Sequence, residues 1–273
     1  MTPFPTISDA AADLQFQLAV REQFPESYEF ESQYVEHEMT HIGQFFATGL
    51  CPVEGKEVLE FGCNIGATSI VLAHYGAQVT AVDINPAHLG TARLNTRRYG
   101  STGIRFQLLH EGERLPFADC EFDVVTCNSV LEYVKPELLT GVQQEMNRVL
   151  RPGGLLLVYG TSNRLSPVEM HSKEWFNNYI PRSFDRLSGR PRERGVSPWI
   201  LRRGFGPGYD DLFSGRAGTR RYIDLKRSMG LNGWKLGLLS TLGAFFTISP
   251  VPMPLVLPYT CMLLRKCSTG AGH

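Results

Sequence analysis

The stretch VLEFGCNIGATSIVLAHYGAQVTAVDIN, Val58 to Asn85, constrains the chain most. Two apolar runs bracket a glycine-bearing turn and an apolar helical segment, and an acid, Asp83, closes the second run. A strand that turns sharply into a helix needs residues without side chains at the turn, and Gly62 and Gly66 supply them. The same alternation continues to residue 164. EVLEF, QVTAVDI, IRFQLL, FDVVTCNSV and GLLLVYGTS read as strands, while ATSIVLAHYG, PAHLGTARLNTRRYG and PELLTGVQQEMNRVL read as helices. Strands alternating with helices predict an α/β fold whose parallel sheet is covered on both faces, with right-handed connections.

The turn limits the ligand. Its spacing is E-x-G-x-N-x-G, Glu60 to Gly66, with Asn64 where a dinucleotide loop wants its second glycine. No Walker lysine follows, so the ligand need not carry phosphate. Glu60 can anchor an ammonium group, and Asp83 at the end of the second strand can accept both hydroxyls of a ribose. Glu111 and Gly112 follow the third strand, where Glu111 can accept from an exocyclic adenine amine. Asn128 ends the fourth strand near the zwitterionic end of such a ligand. Cys63, Asn64 and Ile84 complete the turn and the strand end as cofactor-side candidates.

In that order, VLEFGCNIG, VTAVDIN, LHEGERLPFADCEFDVV, CNSVLEYV and VLRPGGLLLVYGTSNR resemble the class I S-adenosylmethionine-dependent methyltransferases, over about residues 56–164. The nearest subgroup looks like the small-molecule enzymes of ubiquinone, polyketide and glycolipid pathways. The resemblance implies a Rossmann-like, mostly parallel seven-stranded sheet with helices on both faces. It also implies S-adenosyl-L-methionine as cofactor and direct methyl displacement as reaction. That chemistry rests on holding the reactants close, with a base if the acceptor must lose a proton. TSNRLSPVEMHSKEW, beyond the fifth strand, is similar to a PNR…P-E-x-H segment of some family members and falls on the ligand side of an open sheet. His171 is the candidate base. Glu169 would orient it or bind substrate, and Arg164 would hold an anionic group. Alternatively, these three residues brace an irregular loop. Tyr133 stands where many relatives carry a histidine, so no histidine base carries over to this position; Tyr133 itself is either a packed aromatic residue or a further catalytic candidate. Tyr34, on a helical face with His37 and His41, is a substrate-side candidate.

The flanks are read more coarsely. Residues 1–50 form an N-terminal helical cap, 51–164 the cofactor-binding core, 165–235 an irregular insertion or lid rich in Gly, Pro and Arg, and 236–273 an apolar helix and the last strand. The N-terminus lacks the basic start and apolar core of a secretory signal. Formal net charge is zero, giving no general reason to expect nucleic-acid binding. Residues 1–60 nevertheless carry eleven acids and two bases, and residues 180–227 twelve bases and five acids. Six cysteines without a C-x-x-C pair suggest neither a disulfide framework nor a metal site, which favours a reducing cytoplasm. Leu236–Leu264 has no charged residue, but Pro250, Pro252, Pro254 and Pro258 break it into helix, turn and strand. The leading expectation is a small-molecule methyltransferase, O-directed, of secondary metabolism. The alternatives are a methyltransferase of a lipid or polyprenyl compound resting peripherally on a membrane, and a cofactor-binding regulator without chemistry.

Overall fold

The computed structural model describes residues 4–181, 183–189 and 192–268, so the first three and last five residues of the terminal segments read above lie outside it. Four helices come first: α1 (Ala10–Gln23), α2 (Tyr28–Ser32), α3 (Tyr34–Thr40) and α4 (Gly43–Ala47). The Asp9 side chain caps α1 by accepting from the Ala12 N–H. The chain then alternates: β1 (Glu57–Phe61), α5 (Ala67–His74), β2 (Gln78–Asp83), α6 (Pro86–Arg98), β3 (Ile104–Leu108), β4 (Phe122–Asn128), α7 (Pro136–Val149) and β5 (Leu150–Ser162). Pro86 and Pro136 each start a helix at a position where the missing N–H costs nothing. The remainder is α8 (Ser183–Ser188), α9 (Pro198–Gly204), β6 (Tyr209–Asp211), α10 (Gly215–Ser228), α11 (Gly233–Phe246) and β7 (Tyr259–Lys266).

The sheet order is β3-β2-β1-β4-β5-β7-β6. The first five strands are parallel, and β7 runs antiparallel between β5 and β6. Both faces are buried, so neighbouring residues of one strand enter different cores. Val58, Val124 and Leu157 join a cluster with Met39 and Phe45 of the N-terminal helices and Leu225 of α10. Leu59, Val125 and Leu156 join a second cluster with Leu139 and Met146 of α7 and Leu201 of α9. The chain leaves β1 in one direction through β2 and β3, then returns to β4 on the other side. That reversal opens a crevice beyond the carboxyl ends of β1 and β4.

The N-terminal helices are tied down beside it. Arg98 of α6, fully buried, donates to Asp13 of α1 at 2.9 Å and lies 3.8 Å from the centre of the Phe16 ring. The strand–helix reading of residues 56–164 matches these elements, and Leu236–Leu264 divides into helix, turn and strand as its prolines require. Residues 165–235 differ from the irregular segment expected: they hold β6 and the 14-residue α10. The cause is amphipathic spacing, because Thr219, Tyr222 and Leu225 of α10 turn inward while its four arginines stay at the surface.

Candidate active site

Beyond the carboxyl ends of β1, β2 and β4 lies a cavity of about 1030 Å³, closed on one side by α2 and α3. The turn after β1 shapes its floor. Gly62 has φ +80°, and an added Cβ would overlap both methyl carbons of Val130, the farther at 2.6 Å. Gly66 caps α5 with φ +77° and is not part of the cavity wall. Asn64 has φ +47°, a left-handed conformation that asparagine tolerates. The turn is tightened by its backbone rather than its side chain. The Asn64 N–H donates to Asp83 Oδ2 at 2.8 Å, while its buried amide oxygen has no hydrogen-bond partner among the described residues.

Asp83 Oδ1 accepts from the Asn85 N–H at 2.9 Å, so two backbone donors hold the carboxylate and each oxygen keeps a lone pair. Glu60 is buried against the Ser69 hydroxyl, and burial pushes its carboxyl up to about 8. Glu38 of α3 accepts from Asn128 Nδ2 at 2.8 Å and from Tyr34, yet burial pushes it up to about 7. Burial also pushes Glu31 up to about 7. Three acids around one cavity, each without a salt-bridge partner among the described residues, make this half of it receptive to a positively charged ligand. Cys63 and Cys127 are buried, and burial raises both thiols, as suits packed rather than reactive cysteines.

The other half is lined by Tyr133, Tyr159, His171, Lys226 and Tyr259. His171 Nε2 lies 2.9 Å from Glu132 Oε1. That oxygen already accepts from the Ser162 N–H, so it is placed to accept from Nε2–H as well, leaving Nδ1 as the ring's acceptor. The bond to Glu132 raises the imidazole above its usual value, against a smaller opposing effect of burial. Lys226 reaches the cavity from α10, with its ammonium 5.5 Å from the Tyr159 ring centre and 5.4 Å from that of Tyr222. It has no carboxylate partner among the described residues, and burial lowers its ammonium below the usual range.

The structure therefore brings Tyr34, Glu60, Gly62, Cys63, Asn64, Asp83, Ile84, Glu111, Gly112, Asn128, Tyr133 and His171 to one cavity wall. Glu111 reaches it while paired with Lys135. Glu169 and Arg164 do not line it. Burial alone would raise the Glu169 carboxyl, but donors outweigh it and hold the group below its usual range. The carboxylate accepts from the Ser162 hydroxyl, the His171 and Ser172 N–H groups and the Ser172 hydroxyl, so it holds the loop that carries His171. The Arg164 N–H donates to the Val196 carbonyl at 3.1 Å. Sequence reasoning passed over Glu38, Glu132 and Lys226. Glu38 stands one helical turn after Tyr34, and Glu132 directly precedes Tyr133, so both had a local signal. Lys226 had none until α10 was recognised as a helix.

Residues 59–158 match the family described as a methyltransferase domain. The matched span, under half of the chain, resembles a class I S-adenosylmethionine-dependent methyltransferase domain. A ubiquinone biosynthesis O-methyltransferase of Azoarcus sp. is 31% identical over 54% of the chain and 62% of its own length. A sterol 4-C-methyltransferase of Caenorhabditis elegans is 31% identical over 48% of the chain and 38% of its own length. The chain thus spans less than two thirds of either relative. A solved structure of a Galdieria sulphuraria protein assigned as a sarcosine dimethylglycine methyltransferase shares the fold, at TM-score 0.51 and 15% identity, over 94% of this chain and 98% of that one.

Methyltransferases of this class take S-adenosylmethionine. The donor set of the cavity fits it: a sulfonium and an ammonium need anionic neighbours, a ribose needs paired acceptors, and a compact backbone turn needs Gly62. The buried, unpartnered Asn64 amide oxygen adds an acceptor at the same turn.

Proposed function

We propose that this protein transfers a methyl group from S-adenosylmethionine to a hydroxyl of a small, largely apolar acceptor that also carries an anionic group. The observation that carries the reading is the division of the cavity: acids at the ends of β1 and β2, and the His171–Glu132 pair with Lys226 opposite.

The bound cofactor supplies a methyl group activated by its sulfonium. Asp83 would hold the ribose hydroxyls, Glu60 the ammonium, and Glu111 with Gly112 the adenine edge. Glu38 and Asn128, bonded to each other, would close the amino-acid end from above. Tyr34, packed against Phe30 of α2 and His37 of α3, would screen that half from water. At the acceptor end, Glu132 keeps the His171 ring turned with Nε2–H toward itself. Nδ1 then takes the hydroxyl proton as the acceptor oxygen attacks, and Glu132 stabilises the imidazolium that forms. Lys226, resting on two aromatic rings, would pair with the acceptor's anionic group.

Labelled S-adenosylmethionine offered with cell extract, followed by mass spectrometry of the labelled product, identifies the acceptor. With that acceptor, His171→Ala is expected to lower turnover by about 10²–10⁴-fold. Wild-type kcat/KM should climb with pH as the imidazole loses its proton. In Glu132→Gln that limb should move to lower pH, because Glu132 is what raises the group. A folded His171→Ala enzyme with near-normal turnover, or a limb that stays put in Glu132→Gln, refutes the base.

A further inference from the structure

The 14 residues of α11 include one charge, Lys235. The helix buries Leu239 and Gly243 against α10, where a Cβ on Gly243 would stand 2.8 Å from Ile223 Cδ1. Its opposite side is bare. Trp234 is 74% exposed, Leu238 53%, Leu242 40% and Phe245 71%, and Ile248 just beyond the helix is 91% exposed. Steps of four, four and three residues from Trp234 to Phe245 set these side chains along one stripe. A helix apolar on all sides belongs in a core or in lipid, and this one has a core on one side only.

We infer that the outer face of α11, with the arginines of α10, seats on an anionic lipid surface. Length decides the mode. Fourteen residues reach about 21 Å, short of the roughly 30 Å hydrocarbon layer, so the helix lies in the interface rather than across it. No helix among the described residues is long and apolar enough to cross a membrane.

Charge decides the occupant. Arg216, Arg220 and Arg227 line a shallow groove against Ser240, Gly243 and Thr247 of α11 and its end, and Lys235 flanks the apolar stripe. The one acid of the two helices, Asp224, is paired with Arg227 at 2.6 Å. A two-fold contact with a second copy would set this basic rim against itself. Lipid headgroups of negative charge complement the rim while the acyl boundary accepts the stripe. The inference is independent of the proposed reaction, since no residue of α11 lines the large cavity.

The test is co-flotation of the whole chain with vesicles of phosphatidylcholine alone and of phosphatidylcholine with phosphatidylglycerol. Binding is expected with the anionic vesicles, weakening with salt. Trp234 emission should shift to the blue in a Trp175→Phe, Trp199→Phe background. Trp234→Ser with Phe245→Ser should lower partitioning by about tenfold or more, and Arg216→Glu with Arg220→Glu by a similar factor. Because all four side chains are exposed, circular dichroism should show both variants folded. Three results would overturn the inference: no flotation with anionic vesicles, equal binding to neutral ones, or binding kept by the Trp234 and Phe245 variant. A solution dimer that Leu238→Ser dissolves would overturn it too, by assigning the stripe to a second copy.

Discussion

Replacing Gly62 by alanine strikes the turn on which the cofactor half of the cavity rests. Two costs can be separated. At φ +80° an L-residue loses about 1–2 kcal/mol relative to glycine. The new Cβ also overlaps both Val130 methyls, the farther at 2.6 Å, against an ordinary carbon contact of about 3.5–4 Å. Overpacking of that kind adds about 1–3 kcal/mol. Gly62→Ala should therefore destabilise the protein by about 2–5 kcal/mol, a large part of a typical total of about 5–15 kcal/mol. Urea unfolding measures the sum. The cycle with Val130→Ala separates the parts, since removing the two methyls leaves the backbone strain and relieves the overlap. The Cβ of residue 130 would then be the nearest atom, at 3.1 Å. A coupling of about 1–2 kcal/mol between the two sites is expected. Both residues line the cavity, so Gly62→Ala should weaken S-adenosylhomocysteine binding as well. A Gly62→Ala protein as stable as the wild type, or a double mutant whose costs simply add, would refute the close-approach argument.

Two further expectations concern charge. Glu31, Glu38 and Glu60 are raised to about 7, 7 and 8, so between pH 4.5 and 8 the ligand-free folded chain holds more protons than the unfolded one. Their contribution to stability must then fall as pH rises through that window. Thermal melts of wild type and Glu60→Gln should show the steeper loss in the wild type, and identical slopes would remove Glu60 from the account. Lys226→Met should raise KM for the identified acceptor by about tenfold or more and leave cofactor affinity alone, because Lys226 sits at the acceptor end. An unchanged KM would show that the anionic group is recognised elsewhere.

The parallel core was legible because both faces of its strands are buried, which leaves continuous apolar runs such as those of β1 and β4. Gly62, Asn64 and Asp83 were legible because they are close in sequence and share one turn. α10 was hidden by composition. Its five bases and two glycines mask the inward Tyr222 and Leu225, although Gly218 is there because a Cβ would collide with the Phe213 backbone. β6, with three residues, is too short to leave a period. The His171–Glu132 contact joins residues 39 apart through the ends of β4 and β5, so no local spacing reveals it. Glu169 was read as orienting His171, binding substrate or bracing its loop, and sequence alone left these open. Its donors from Ser162, His171 and Ser172 became visible only when the loop was folded.

The central claim is that this cavity holds S-adenosylmethionine with Asp83 on the ribose. Calorimetric titration of the ligand-free chain with S-adenosylhomocysteine, wild type against Asp83→Ala, tests it most directly. The account expects one site per chain in the wild type. In the mutant it expects a loss of about 1–3 kcal/mol, or about 5- to 150-fold in Kd. The Asn64 and Asn85 N–H groups that Asp83 now holds would be freed, so circular dichroism must show the mutant folded. No binding to the wild type at millimolar ligand, or equal affinity in a folded Asp83→Ala protein, would contradict it.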